Sequence, residues 1–411
     1  MSSALLITGV KDTAVDPTER ARVLAARRRL KMARSAHAYV RGSTRHFYEW
    51  LGKASVKLPV GPEIWICGDC HVGNLGPVGK VAGTPDIELR DLDQTAVGNP
   101  AYDLVRLALS LAMAGRGSDL GGVTTARMAE DLIAGYELAL SGDAPAASAA
   151  ELPKPIRLVM KRAVRRTWKK LFRERVGQGK RALPLGKRFW PLARVEREAV
   201  EQLVSIPELA SLVTRLEHRA DNATVELVDA AYWVKGCSSL GMWRAAVLVD
   251  VVEPDNDKHS LCLLDIKEAG KTFAPHVEGT PEDPAARVVM GARKLAPSLG
   301  ERMAAVHMLD RSLFVRELMP QDLKVELDEL SAEDARGVAH CLGTVVGRAH
   351  GRQLAANDRA SWLAEIAAHR SKTLDAPSWL WRAVVELVAI HEAAYLEHCR
   401  LYALEPDKLV A

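Results

Sequence analysis

Cysteine is scarce in this sequence: six in 411 residues, at positions 67, 70, 237, 262, 341 and 399. Their spacings form no dense framework, which argues against a disulfide-built scaffold and for free thiols in a reducing compartment. Long apolar runs are also missing. None approaches the roughly 20 residues that cross a bilayer, so no membrane span is expected. The opening MSSALLITGVKD has a short apolar run, but no basic region before it and no small-residue cleavage pattern. That is a poor export signal, and a cytoplasmic location is the expectation. An excess of charge of one sign is absent too. The net charge is +4, too small for a global field that draws the chain to nucleic acid, so any anion site must be local. No internal repeat is visible.

What remains is an ordinary globular balance, 48% hydrophobic and 26% charged. The length suits two or three domains or lobes, with enough apolar mass for a large core. The densest chemistry lies in two stretches, CGDCHVGNLG (67–76) and LRDLDQTAVGNPAYDL (89–104). They place Asp69, His71, Asn74, Asp91, Asp93 and Asp103 within a short reach of chain. A strand entering a tight turn with Asp and Asn, then a second strand ending in Asp, can hold a divalent metal against phosphate oxygens.

Around these stretches the pattern predicts mostly helix. Residues 1–15 read as loosely structured. Asp16-Pro17 opens a helix over 17–34, and the next segment breaks at Gly42 before the cluster Phe47, Tyr48, Trp50. EIWIC (63–67) and PDIELRDLD (85–93) read as strands joined by a Pro/Gly-containing connection. AYDLVRLALSLAMAG reads as a buried helix, followed by a helix over 122–140 and a linker over 141–155. Residues 156–175 read as one strongly basic helix, more simply a solvated face than a surface for nucleic acid or an anionic membrane. From about 223 three strands follow, with a glycine-containing turn between the first two. A helix over 283–297, strands at 302–308 and 313–318, and helices over 331–352, 359–371 and 378–403 complete the chain.

The stretch Gly68-Asp69, His71, Asn74, Asp91, Gly98, Pro100, Asp103-Leu104 resembles the catalytic loop of aminoglycoside and choline phosphotransferases. Cys67 stands where that loop has His, and Val72 where it has Pro. The resemblance implies that Asp69 orients the acceptor hydroxyl and acts as base. It also implies that Asn74 and Asp91 hold metal, with Asp93 a candidate second carboxylate, and that Asp103 steadies the loop. VKGCSSLGMWRAAVLV offers a turn to cover nucleotide phosphates, with Gly236, Ser238, Ser239 and Gly241. LLDIKEA offers Lys267 to meet them. In kinases this glycine-rich lobe precedes the catalytic loop; here it follows, so the chain resembles a circularly permuted kinase. With RGSTRHFYEWL, ICGDCHVGNLG, RDLD, DIKEA, FVREL-x-x-x-D-L-K and GRAH, it resembles an uncharacterised bacterial family, domain of unknown function 2252 (DUF2252), from about residue 30 to 352.

The expected fold is therefore α+β: a two-lobed, circularly permuted protein-kinase-like fold. A small antiparallel β lobe (223–325) would clamp the nucleotide. A large, mostly helical lobe (16–222 and 326–411) would carry the catalytic loop. The expected activity is ATP- and magnesium-dependent transfer to an unidentified small molecule or protein, with phosphoryl and nucleotidyl transfer both open. The alternatives are a nucleotide-binding pseudokinase or scaffold and, third, a nucleic-acid binder using the basic helix. The pseudokinase reading rests on one gap. Kinases pair the strand lysine with a helix glutamate, and ARVVMGARKL offers only Arg287 and Arg293. Cys67-Gly-Asp-Cys70-His71 also fits covalent haem attachment or a zinc site, but haem needs export and zinc a further ligand. Arg41, Arg316, Lys324, Arg348 and His350 fall in family-like segments. Each is as well explained by an ion pair or a helix cap as by phosphate contact.

Overall fold

The computed structural model describes residues 14–142, 151–177, 181–214, 222–236, 239–253, 258–325, 330–370 and 378–402. Ser238, Cys237 and most of the expected 141–155 linker lie outside these. The chain opens with helices α1 (Arg20–Met32), α2 (Ala36–Val40) and α3 (Thr44–Leu51). Four short strands follow: β1 (Ile64–Ile66), β2 (Leu75–Val78), β3 (Asp86–Leu89) and β4 (Ala96–Gly98). β1 pairs with β4 and β2 with β3, both antiparallel. The connection expected after residue 76 is thus itself a hairpin arm, and β4 is a strand that the sequence reading did not contain.

Helices α4 (Ala101–Gly117), α5 (Gly122–Ser141), α6 (Lys154–Val164) and α7 (Trp168–Arg175) come next. α4 is apolar on nearly every side and buried through most of its length, as a central helix must be. The expected helix over 156–175 is two helices, because its halves serve different cores. Ile156 and Val159 of α6 join the helical core, whereas Leu171 of α7 packs under the large sheet. Thr167 caps the second helix by accepting from the Lys170 N–H.

After β5 (Phe189–Trp190), α8 (Arg194–Val204) and α9 (Pro207–Thr214) come the long strands β6 (Thr224–Trp233), β7 (Arg244–Glu253) and β8 (Lys258–Glu268). Then follow α10 (Pro284–Leu295), α11 (Pro297–Gly300), β9 (Met303–Met308) and β10 (Arg311–Glu317). Helices α12 (Ala332–Gly351), α13 (Ala356–Ala368) and α14 (Trp379–Tyr402) close the fold. The class is α+β. The large sheet is antiparallel with strand order β5-β6-β7-β8-β10-β9. Among the described residues, no helix is long and apolar enough to cross a membrane.

Alternation along the central strands divides their side chains between two faces. Val247, Val249, Cys262, Leu264 and Ile266 pack on one side with Leu24, Trp190 and the apolar residues of α8 and α9. Residues 16–222 were expected with the helical part; Leu24 and 189–214 instead pack with the sheet, whose first face would otherwise be uncovered. The other face carries Ala246, Leu248 and Leu263 under α7. Toward one end this second face turns from apolar to charged, with Arg244, Asp265, Lys267 and Arg316. Register makes them neighbours: Arg244 lies opposite Lys267, and Asp265 opposite Arg316.

The helical core is knit by α5 against α12, whose backbones nearly touch. A Cβ at Gly343 would sit 2.1 Å from the Leu132 carbonyl oxygen, and one at Gly135 2.0 Å from that of His340. We expect Gly343→Ala to lower unfolding stability by about 1–3 kcal/mol, as overpacking does. Exposed Gly117, with open space around it, gives the control: Gly117→Ala should gain up to about 1 kcal/mol from helix propensity. Urea melts of both variants check this.

Candidate functional site

The loop between β1 and β2 carries Asp69, His71 and Asn74, and its shape is fixed from beneath by Asp103 in the first turn of α4. One Asp103 oxygen accepts the Cys67 N–H at 2.7 Å and the other the Gly68 N–H at 2.9 Å. Gly68 has φ of 73°, and a Cβ there would lie 2.0 Å from the Gln94 carbonyl oxygen, so only glycine fits. Tyr48 donates to the Gly68 carbonyl at 2.9 Å. Cys67 in place of histidine leaves this anchoring intact, since it is made by backbone N–H groups.

Asp103 is held in turn. His350 Nε2 lies 3.2 Å from it, and His350 Nδ1 lies 3.0 Å from the Tyr136 hydroxyl. That hydroxyl accepts from Trp362 Nε1 at 3.0 Å. The indole can only donate and a carboxylate only accept, so the chain runs one way. Trp362 donates to Tyr136, Tyr136 to His350 Nδ1, and His350 Nε2–H to Asp103. Four helices (α13, α5, α12 and α4) thus terminate their polar contacts on one loop. His350 is part of the scaffold.

Asp69 faces the cleft between this loop and the sheet. Arg106, one turn after Asp103, donates from Nε to Asp69 at 2.9 Å. Burial raises the Asp69 carboxyl above its ordinary value, against the opposing Arg106 charge. Asn74 donates from Nδ2 to the Asp69 carbonyl at 2.9 Å, which leaves its side-chain oxygen as the available ligand atom. His71 lies 4.0 Å from Asp69. Burial, then Arg41 and Arg106, hold its imidazole well below the usual range, so it is neutral.

Asp91 and Asp93 follow β3 and meet Lys267 from β8. Lys267 lies 3.6 Å from Asp91 and is ion-paired more closely with Asp93. Lys267 itself is buried at 3% exposure, while the Asp91 side chain is half exposed to the cleft. The two carboxyls are pushed apart. Burial raises Asp91, but Lys267, then a hydrogen bond with Asp93 and the arginines, outweigh it and hold it well below the carboxylate range. Burial, then the neighbouring Asp91 charge, pushes Asp93 up to about 6. Arg287 of α10 holds the same segment by its backbone, donating to the Asp93 carbonyl at 2.9 Å and the Gly270 carbonyl at 2.8 Å.

A cleft of about 750 Å³, counting its open mouth, brings Asp69, Asn74, Asp91 and Asp93 together with Gly236 and Ser239. Gly236 and Gly241 both take positive φ, 108° and 110°, as a tight turn requires. Gly241 does not line the cleft, and Ser238 lies outside the described residues. Lys267 sits behind Asp91 and Asp93, in an adjoining small cavity. Of the further candidates, Arg41, Arg316 and Lys324 line the cleft and Arg348 does not.

The sequence reading missed Arg90, Arg106, Lys235, Arg244 and Asp265. Asp265 is the counter-charge of the sheet face: Arg244 donates to it at 2.7 Å and Arg316 at 3.0 Å, with Lys235 at 3.9 Å. Burial pushes its carboxyl up, yet Arg244 and then Arg316 hold it well below the usual range. The available signal was a charge inside an apolar run: Asp265 within SLCLLDIKEA, and Arg106 within the otherwise buried α4.

Cys67, Cys70 and Asp103 bring their ligand atoms within 4.8 Å of one another. Both Asp103 oxygens are already occupied by the loop, and the trio is one donor short of tetrahedral zinc. The hydrogen bond to Cys70, then burial, pushes the Cys67 thiol well up, away from the thiolate that a metal needs. This favours the buried, reduced pair.

The anchoring chain can be tested without touching the cleft. Tyr136→Phe removes one oxygen and leaves both His350 Nδ1 and Trp362 Nε1 without that partner. We expect a loss of about 1–3 kcal/mol in urea unfolding. An unchanged midpoint would mean that the chain does not brace the loop.

Across comparisons with known proteins, no curated protein and no solved structure matches this chain. A match does come from the family described as "Uncharacterized protein conserved in bacteria (DUF2252)", over residues 20–401. With most of its length matched, the chain belongs to the DUF2252 family.

Proposed function

We propose that this protein is an ATP- and magnesium-dependent phosphotransferase with a circularly permuted kinase-like arrangement. One observation carries the reading: Lys267, from the central strand of the sheet, meets Asp91 and Asp93 beside the loop that presents Asp69 and Asn74. Phosphoryl transfer requires these parts together: a cation for phosphate oxygens, oxygen ligands for metal, and a carboxylate for the acceptor hydroxyl.

The donor set fits magnesium. Asn74 offers an amide oxygen and Asp91 a half-exposed carboxylate, and Asp93 Oδ1 is buried without a hydrogen-bond partner. A hard cation held there would neutralise charge on the transferred group. The chain's own residues do the rest. Asp69, fixed by Arg106, accepts the proton of the acceptor hydroxyl as that oxygen bonds to the γ-phosphorus. The bond from phosphorus to the bridging oxygen breaks and ADP leaves with that electron pair. Lys267 steadies the nucleotide phosphates, and the 236–241 turn covers them. Asp69's raised carboxyl is a stronger base than an exposed aspartate.

The gap that motivated a pseudokinase is narrower than the sequence suggested. Lys267 takes Asp93 and Asp91 as partners, and α10 contributes Arg287 to the same segment instead of a glutamate. The basic faces of α6 and α7 lie outside the cleft lining, and nucleic-acid binding through them gains no support from the site.

Purified protein with labelled ATP, magnesium and a bacterial metabolite extract tests the reading. Transfer of label is expected, with Asp69→Asn lowering kcat by about 10²–10⁴ while ATP binding persists. Lys267→Met should weaken ATP binding. Tight ATP binding with no labelled product would favour the pseudokinase; ATP binding indifferent to Lys267→Met and Asp91→Ala would remove the site altogether.

A further inference from the structure

The cations lining the cleft divide into two groups. Arg244, Arg316 and Lys235 share Asp265. Arg41, Arg90 and Lys324, on the side of Asp69 and His71, have no side-chain ion pair among the described residues. Arg41 Nε is buried without a hydrogen-bond partner, and so is His71 Nδ1 beside it.

Two glycines of the loop lie beside these side chains. A Cβ at Gly73 would stand 3.4 Å from the Arg41 guanidinium carbon and 3.1 Å from the His71 ring. A Cβ at Gly76 would stand 3.2 Å from Arg90 Cδ. At Gly76 the closest approach would be to the Leu323 carbonyl oxygen, 2.3 Å, so that glycine chiefly admits the 323–325 segment. Lys324 is placed by its neighbours: Leu323 and Val325 donate to the Pro77 and Leu75 carbonyls, adding a third chain to the β2–β3 hairpin. Arg41 and Arg90 both lie close enough to act on Lys324. The cleft walls, then Arg41 and Arg90, push the Lys324 ammonium down to about 8 although its side chain opens to solvent. Asp322 and Asp91 offset part of this charge at Arg90 and Lys324, but none of the three cations is in a side-chain ion pair among the described residues, and a bound anion would relieve the remaining repulsion.

We propose that Arg41, Arg90 and Lys324 form a subsite for a phosphate group on the acceptor, so that the substrate is a small phosphorylated compound whose free hydroxyl reaches Asp69. This rests on the phosphotransferase reading of the same cleft. Three cations with a neutral imidazole suit a phosphate dianion better than a single carboxylate. The nucleotide's phosphates have their own cation in Lys267, on the far side of Asp91.

The test is binding of inorganic phosphate to the full chain saturated with magnesium and a non-hydrolysable ATP analogue, followed by calorimetry. Phosphate should bind alongside the analogue. Arg41→Gln and Lys324→Gln should each weaken phosphate by about tenfold, roughly the strength of one charge-assisted hydrogen bond. The analogue's affinity should change much less, and the melting temperature of each variant should stay near that of the parent. Acetate should bind far more weakly; equal binding of acetate would overturn the phosphate assignment. Competition between phosphate and the analogue would assign the cations to the nucleotide and overturn the acceptor subsite. Phosphate binding indifferent to both substitutions, or absent, overturns it as well. If the analogue itself fails to bind while phosphate still binds through Arg41 and Lys324, the anion site stands. The phosphotransferase reading, and with it the acceptor assignment, then falls.

Discussion

A buried ammonium is tolerable only against a counter-charge, and Lys267 finds its own far away in the chain. Its strand belongs to the large sheet; Asp91 and Asp93 follow a hairpin that leads into the helical core. The pairing fixes how the charged end of the sheet faces the loop of Asp69 and Asn74. Every other element of the site is arranged around that meeting. Arg287 holds the carboxylate segment by its carbonyls, and Arg316 links it to the sheet by donating to the Arg90 carbonyl while pairing with Asp265. Removing one partner of such a cluster would leave charge buried and unpaired, so the cluster acts as a unit.

The second constraint lies under the loop. Asp103 satisfies two consecutive backbone N–H groups that the turn at Gly68 leaves without partners, and a one-way hydrogen-bond chain through His350 and Tyr136 to Trp362 holds Asp103. These contacts are buried, so none is exchanged for water at little cost. Rigid support of this kind is what a site built on positioning needs: a carboxylate displaced by an ångström orients nothing. The same helix that supplies Asp103 supplies Arg106, so the loop's backbone and its leading side chain are registered by one element.

Local patterns made much of this legible in the sequence. The strand entering the loop, the strand leading to Asp91, the buried helix after them and the three long strands all follow from short-range apolar periodicity. Gly68, Asp69, Asn74 and Asp103 stand at spacings that resemble a phosphotransferase loop, and the structure gives Asp103 the supporting contacts that the resemblance implied. What stayed hidden depends on long-range contact. Lys267 meets carboxylates that no local pattern links to it. Asp265 becomes the hub of a cation cluster only once β8 lies between β7 and β10. The basic run 156–175 hid a break because its apolar positions serve two cores, which periodicity alone cannot separate. Strand β5, of two residues, is too short to carry a pattern, and β4 ends in Gly98 before Asn99-Pro100, residues that read as a turn. Leu24 and Trp190 joined the sheet because its first face needed covering, a demand that exists only in three dimensions.

The central claim is that the sheet's lysine and the loop's carboxylates hold one nucleotide between them. A crystal structure of this chain with magnesium and a non-hydrolysable ATP analogue measures it directly. The account predicts the triphosphate in the cleft, magnesium on Asn74 and Asp91, Lys267 turned toward a phosphate oxygen, and the γ-phosphate facing Asp69. A nucleotide seated elsewhere, or with its phosphates turned away from Asp91 and Lys267, would contradict it.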